Sequence, residues 1–165
     1  MSASRAVRTL TAYNAWANDG LFTLLETTDE AQRIPEAPIL LAILNHAHAV
    51  CQIFRAHMTG ERHDYHSANP EQPLPLDELS ASARAIDEWY CDYAHSLSEA
   101  ELTQRIDFRF TSGEKASMTR EEMILHVVNH GTYHRGNIGV ILQKNGILPD
   151  KDVITDFLSA RAVTS

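Results

Sequence analysis

The stretch TREEMILHVVNHGTYHRGNIGVILQKNG, Thr119 to Gly146, decides the fold. Thr119 stands three residues ahead of Glu122, the spacing of a capping box, in which each side chain satisfies the other's backbone donor. A helix is expected from there to about Asn145, with Gly146 as its stop. Along it His126, His130 and His134 recur every four residues. Positions i and i+4 share one face of an α-helix and are separated by about 6 Å of rise. Two imidazoles at that spacing can converge on one ion. Three in a row lie nearly straight, so a third ligand has to come from another element.

Working back from this helix, Ile106, Phe108 and Phe110 alternate with Asp107 and Arg109, and Ser112-Gly113 follows. Period two with a turn signal predicts a small β-hairpin just before the helix. Further upstream, Leu79, Ala83, Ile86, Trp89 or Tyr90, and Tyr93 give helical spacing over about Asp77 to Leu97. Leu40, Ile43, Ala47, Val50 and Phe54 do the same over Pro38 to Thr59, with Pro38 in the first turn and Gly60 as the stop. Val7, Leu10, Tyr13 or Asn14, Ala17, Leu21 and Leu24 stripe Ala3 to Thr27. The segments between, Thr28 to Pro38 and Glu61 to Leu76, are rich in proline and polar residues and are expected as connections. Beyond Pro149, Asp150 to Leu158 is expected as a short last helix. The whole predicts an all-α, single-domain protein over residues 1–165, an up-down four-helix bundle with a short C-terminal helix.

Composition narrows the function. The chain has 165 residues, 44% hydrophobic, with a formal net charge of −8. No Lys/Arg cluster is present, which disfavours nucleic acid as a partner. Its most apolar stretch, Ile39 to Leu44, is too short to span a bilayer. Met1 to Leu10 lacks the apolar run of a secretory signal. A cytoplasmic protein with Cys51 and Cys91 as reduced thiols is the expectation. Nine histidines are the feature left to explain.

His46 falls on the apolar stripe of the second long segment, where an imidazole is costly unless hydrogen-bonded or coordinated. His48 lies about 200° round the helix from it and points elsewhere. His57 returns to the His46 face three turns away. Together with His63, His66 and His95, it reads as a surface or helix-end residue. One divalent transition metal on His46, His130 and His134 is therefore expected. Three imidazoles leave at least one open position for water or substrate, whereas structural zinc sites are usually closed by four protein ligands. Imidazole suits zinc, nickel, copper or iron. Gly131 follows His130 and Val127 follows His126, so the HExxH pattern of zinc peptidases is absent. Cys51 lies about 140° from His46 and reads as a small buried hydrophobe. His126, Asn129, Tyr133, Arg135, Trp16 and Asn18 are candidates to back the ligands or touch a substrate.

Three stretches resemble the DinB family of small metal-binding helix bundles: YNAWAND at Tyr13 to Asp19, LNHAHAVCQIFRAHMTG at Leu44 to Gly60, and HVVNHGTYHRGNIG at His126 to Gly139. The last is the most specific. The resemblance covers nearly the whole chain. It implies a four-helix bundle with a short C-terminal helix, and a zinc- or nickel-like ion on one histidine of the second helix and two of the fourth, here His46, His130 and His134. It also implies a metal-dependent transferase or isomerase using a low-molecular-weight thiol such as mycothiol or bacillithiol. A hydrolase or a non-catalytic, metal-stabilised interaction module is the alternative. A small-molecule substrate is the expected partner, and bundles of this sort are often homodimers. Relatives often carry Asp where this chain has Cys51.

Overall fold

The computed structural model describes residues 3–163. The chain order is α1 (Ala3–Thr27), α2 (Asp29–Arg33), α3 (Ala37–Thr59), α4 (Leu76–Ser96), α5 (Glu99–Leu102), β1 (Arg105–Arg109), β2 (Lys115–Thr119), α6 (Arg120–Lys144) and α7 (Ile154–Val163). The four long helices and the hairpin stand where the periodicities put them. Thr119 accepts from the Glu122 N–H at 3.1 Å, and Glu122 accepts from the Thr119 N–H at 2.7 Å, so the capping box is formed. Gly60 ends α3 at φ 74°, in the left-handed region that glycine adopts without a steric cost.

Three boundaries differ from the sequence-based expectation. The Thr28 to Pro38 connection contains the short helix α2. After α4, Ser98 and Glu101 form a second capping box that starts α5. The last helix begins at Ile154 rather than Asp150, because Asp152 is held by Arg135 and Tyr13, which keeps its segment out of the helix.

α1 packs against α4 and α6, and α3 packs against the same two helices, so the ring order is α1–α4–α3–α6. Directions follow from side-chain pairs. Arg8 at the start of α1 reaches the carbonyl of Ala94 at the end of α4. Tyr93 of α4 reaches the Met58 carbonyl near the end of α3, while His48 meets Ser82 near the starts of both. His126 of α6 stacks on Phe54 late in α3, while His134 meets His46 earlier in α3, so α6 opposes α3. Thus α1 and α6 run one way, α3 and α4 the other: the all-α bundle is ordered up-down-down-up instead of the expected up-down alternation, because the long connection over residues 60–75 returns the chain to the end at which α3 began. α3 and α6 are adjacent and antiparallel, which brings their middle turns together.

Two apolar clusters fill the bundle. One joins Val7, Phe54, Ile86, Tyr90, Met123 and Val127 beneath the hairpin. The other joins Leu21, Leu25, Leu44, Leu79, Ile138 and Leu142 at the opposite end. The antiparallel β1–β2 pair sets Phe108 opposite Ala116 and lays the Phe108 ring 5.8 Å from Phe54, capping the first cluster. Among the described helices, α3 alone is long and apolar enough to cross a membrane. Here it packs against α4 and α6 and buries Asn45 and His48.

Candidate metal centre

The middle turns of α3 and α6 bring three imidazoles to one point. His46 Nε2 lies 3.1 Å from His130 Nε2, and His134 Nε2 lies 3.1 Å from the same atom. One ligand atom from each of the three falls within 4.8 Å of the others. Nitrogens held about 2.0–2.1 Å from a tetrahedral zinc lie roughly 3.3 Å apart, so the spacing suits a shared ion. Hydrogen bonding alone does not account for it. His46 Nδ1 is 3.0 Å from the Ala68 carbonyl oxygen, which can only accept. The proton therefore sits on Nδ1, and Nε2 presents a lone pair. A single proton on His130 Nε2 can serve one of its two contacts, whereas a cation serves all three rings.

Burial favours the neutral form of the two α6 rings. His130 is pushed down to about 4 by desolvation first, then by His134, His46 and His126. His134 is lowered by burial and by His46. Neutral imidazoles carry free lone pairs, the form in which histidine binds a metal. His134 Nδ1 is buried without a hydrogen-bond partner among the described groups.

On the inner face of α6 the chemistry is different. Arg135 is buried and bonds in four directions. Its Nη1 donates to Asn14 Oδ1 and to Asn18 Oδ1, both at 2.7 Å. Its Nε donates to Asp152 at 2.7 Å, and its Nη2 to Thr132 at 3.2 Å. The two asparagines turn their amides to Asp87, Asn14 at 3.2 Å and Asn18 at 2.8 Å. Two buried ions of opposite sign are thus bridged by a pair of amides. Burial pushes the Asp87 carboxyl up to about 6, against the lowering pull of Asn18, Arg135 and Asn14. Tyr13 also bonds Asp152, and its phenol is pushed up to about 12, by burial first and then by that bond. Gly131 gives this network room: a Cβ there would stand 2.8 Å from Asn14 Oδ1 and 3.1 Å from Arg135 Nη1.

These contacts sort the residues singled out by sequence. His46, His130 and His134 come together. Tyr133 points outward, 66% exposed, its ring 5.1 Å from that of His134. Asn129 is exposed on the turn before. Arg135 and Asn18 belong to the buried network, not to the three-histidine cluster. Trp16 packs on Tyr13 and Phe157, beside a cavity of about 350 Å³ that Gly136, Gly139 and Pro149 also line. His126 is exposed and stacks on Phe54 and His130. His48 faces α4, where its Nε2 lies 2.9 Å from Ser82 Oγ, and burial pushes it down to about 4.

His57 lies in the last turn of α3, a helix-end position as expected, but neither it nor the loop residue His63 is fully exposed. Both are half-buried, with ring centroids 5.3 Å apart, because Phe108 of the hairpin lies 4.6 Å over His57 and closes that end of α3. His66 and His95 are exposed as expected. Cys51 is a free, buried thiol pushed well up by desolvation, which makes it inert as a nucleophile. Sequence reasoning missed Asp87 and the Ala68 carbonyl. Asp87 had one signal, a carboxylate on the apolar stripe of α4 between Ile86 and Tyr90. A backbone carbonyl in a long loop had none.

Comparison with known proteins agrees with this architecture. The DinB family model matches residues 1–161. Protein DinB of Bacillus subtilis (strain 168) is 26% identical over 144 residues, spanning 81% of this chain and 83% of that protein. The crystal structure of a DinB-like protein from Bacillus cereus ATCC 10987 superposes with a TM-score of 0.63 at 17% identity, over 85% of this chain and 91% of that one. That likeness extends to the fold. With the family model matched over residues 1–161, and three histidines grouped where they could hold a metal ion, the chain belongs to the DinB family.

Proposed function

We propose that His46, His130 and His134 hold one zinc or nickel ion and that the protein is a metal-dependent transferase using a low-molecular-weight thiol. The observation that carries this reading is the convergence of three imidazoles, with no carboxylate in the group. Bound there, the ion would keep open positions at which a thiol or water is acidified. The protein's own groups do the holding and orienting. Ala68 fixes the His46 tautomer through Nδ1, the outer-sphere contact that keeps a ligand ring in register. The capped helix α6 fixes the four-residue spacing of His130 and His134. Asn129 and Tyr133, exposed on the turns that flank the ligands, are the groups placed to meet a small-molecule substrate. We place the protein in the cytoplasm, where its two free cysteines and a thiol cosubstrate would both stay reduced.

The test is metal content of protein purified without an affinity tag, beside His46→Ala and His130→Ala. About one equivalent of zinc or nickel in the parent, lost from both variants, supports the site and justifies thiol-transfer assays with electrophilic substrates. A parent that carries no metal and takes up neither ion when supplied would sink the site and the transferase reading together.

A further inference from the structure

α6 carries a third histidine that the three-nitrogen cluster leaves aside. His126 lies four residues before His130, one helical turn away on the same face. Its ring stacks on His130, centroids 5.6 Å apart at 27°, and on Phe54, 4.6 Å away at 29°. Phe54 is buried and fixed in the core, so the His126 ring has a rigid seat. Stacking occupies ring faces, whereas the nitrogens lie on the ring edge. His46, His130 and His134 are half-buried, but His126 is exposed, and it falls outside their ligand group. Along α6 the order is therefore an exposed imidazole, a shared one, and an inner one.

Two imidazoles four residues apart on a helix can chelate one ion. His130 belongs to two such pairs, outward with His126 and inward with His134. A hydrated divalent ion cannot drop its water shell in one step at a half-buried site. At an exposed pair it exchanges part of that shell for nitrogen and keeps the rest. The chain's net charge of −8 draws cations toward it.

We propose that His126 is a loading ligand: with His130 it forms an outer two-imidazole site that captures a divalent transition ion and passes it inward. The inference rests on the reading of His46, His130 and His134 as a metal centre. A loading ligand changes rates and leaves the inner equilibrium alone, so uptake and release slow by the same factor.

The experiment is stopped-flow uptake of nickel or zinc by chelator-stripped protein, and release to a strong chelator, for the parent, His126→Ala and His126→Phe. Phe keeps the stack on Phe54 and His130 but has no nitrogen. Both variants are expected to slow uptake and release by about tenfold, near 1.4 kcal/mol of barrier, with Kd unchanged. A second arm uses the His46→Ala/His134→Ala double variant, which should hold one weaker equivalent through the outer pair and lose it on adding His126→Ala. Parent-like rates in either single variant, a Kd that weakens as much as the rate, or no residual binding in the double variant each overturn the proposal. A parent that binds no metal overturns it together with the proposed function. A parent that binds metal, with rates indifferent to His126, overturns this inference alone.

Discussion

Replacing Gly131 by alanine tests the buried network, because the same change one turn on should have the opposite sign. In a helix interior, alanine is favoured over glycine by about 1 kcal/mol. At Gly136 nothing lies within 4 Å of the added methyl, so Gly136→Ala should deliver most of that gain. At Gly131 the methyl would stand 2.8 Å from Asn14 Oδ1 and 3.1 Å from Arg135 Nη1. Neither atom can yield cheaply. Asn14 is tied to Asp87 and Arg135, and Arg135 is held by Asn18, Asp152 and Thr132. Losing a bond to a charged donor costs about 1.5–3 kcal/mol. Set against the helix gain, Gly131→Ala should lose about 0.5–2 kcal/mol, a fall of roughly 1–8 °C in Tm for a chain of this size. The assay is urea and thermal unfolding followed by circular dichroism on chelator-stripped protein. A Gly131→Ala protein as stable as Gly136→Ala would refute the reasoning, since it would mean that Asn14 and Arg135 are free to move.

Four further outcomes are expected. The pH dependence should show two opposed terms. His48 is held below its usual value, at about 4, so its contribution is present above about 6.5 and lost as pH falls toward 4. Asp87 is raised to about 6, so its contribution is present below about 4 and lost as pH rises through 6. Asp87→Asn should therefore steepen the rise of stability between pH 4 and 6.5, by up to about 3 kcal/mol across the window; urea midpoints at half-unit intervals decide it, and a parent-like slope counts against the buried carboxyl. Leu142→Ala, at a fully buried position, should cost about 2–5 kcal/mol, while Val140→Ala, 67% exposed on the same helix, should stay within about 0.5 kcal/mol. Thr119→Ala should cost about 1 kcal/mol by opening the capping box of α6, measured by urea unfolding. Zinc or nickel at about a thousand times its Kd should stabilise the stripped protein by roughly 4 kcal/mol, and a thermal shift that persists in His130→Ala would place the ion elsewhere.

Much of the fold is local and was therefore legible in the sequence. Helical stripes, the period-two hairpin, the Thr119/Glu122 capping box and the Gly60 stop depend on residues within a few positions of one another. The His130/His134 pair is legible for the same reason, since the helix itself supplies the i,i+4 geometry. His46 was marked as a third ligand by its place on an apolar stripe and by the family resemblance. What only the tertiary structure decided is everything set by how helices turn toward one another. The ring order α1–α4–α3–α6 makes α3 and α6 antiparallel neighbours, and without that His46 Nε2 would not stand 3.1 Å from His130 Nε2. It also turns Arg135 and Asn18 into the bundle, links them to Asp87, and leaves Tyr133 and His126 outside. Side chains about 100° apart on one helix can have opposite fates, and packing chooses between them through the cost of burying an unpaired polar group. No spacing along the chain encodes which partner will be across the interface to remove that cost.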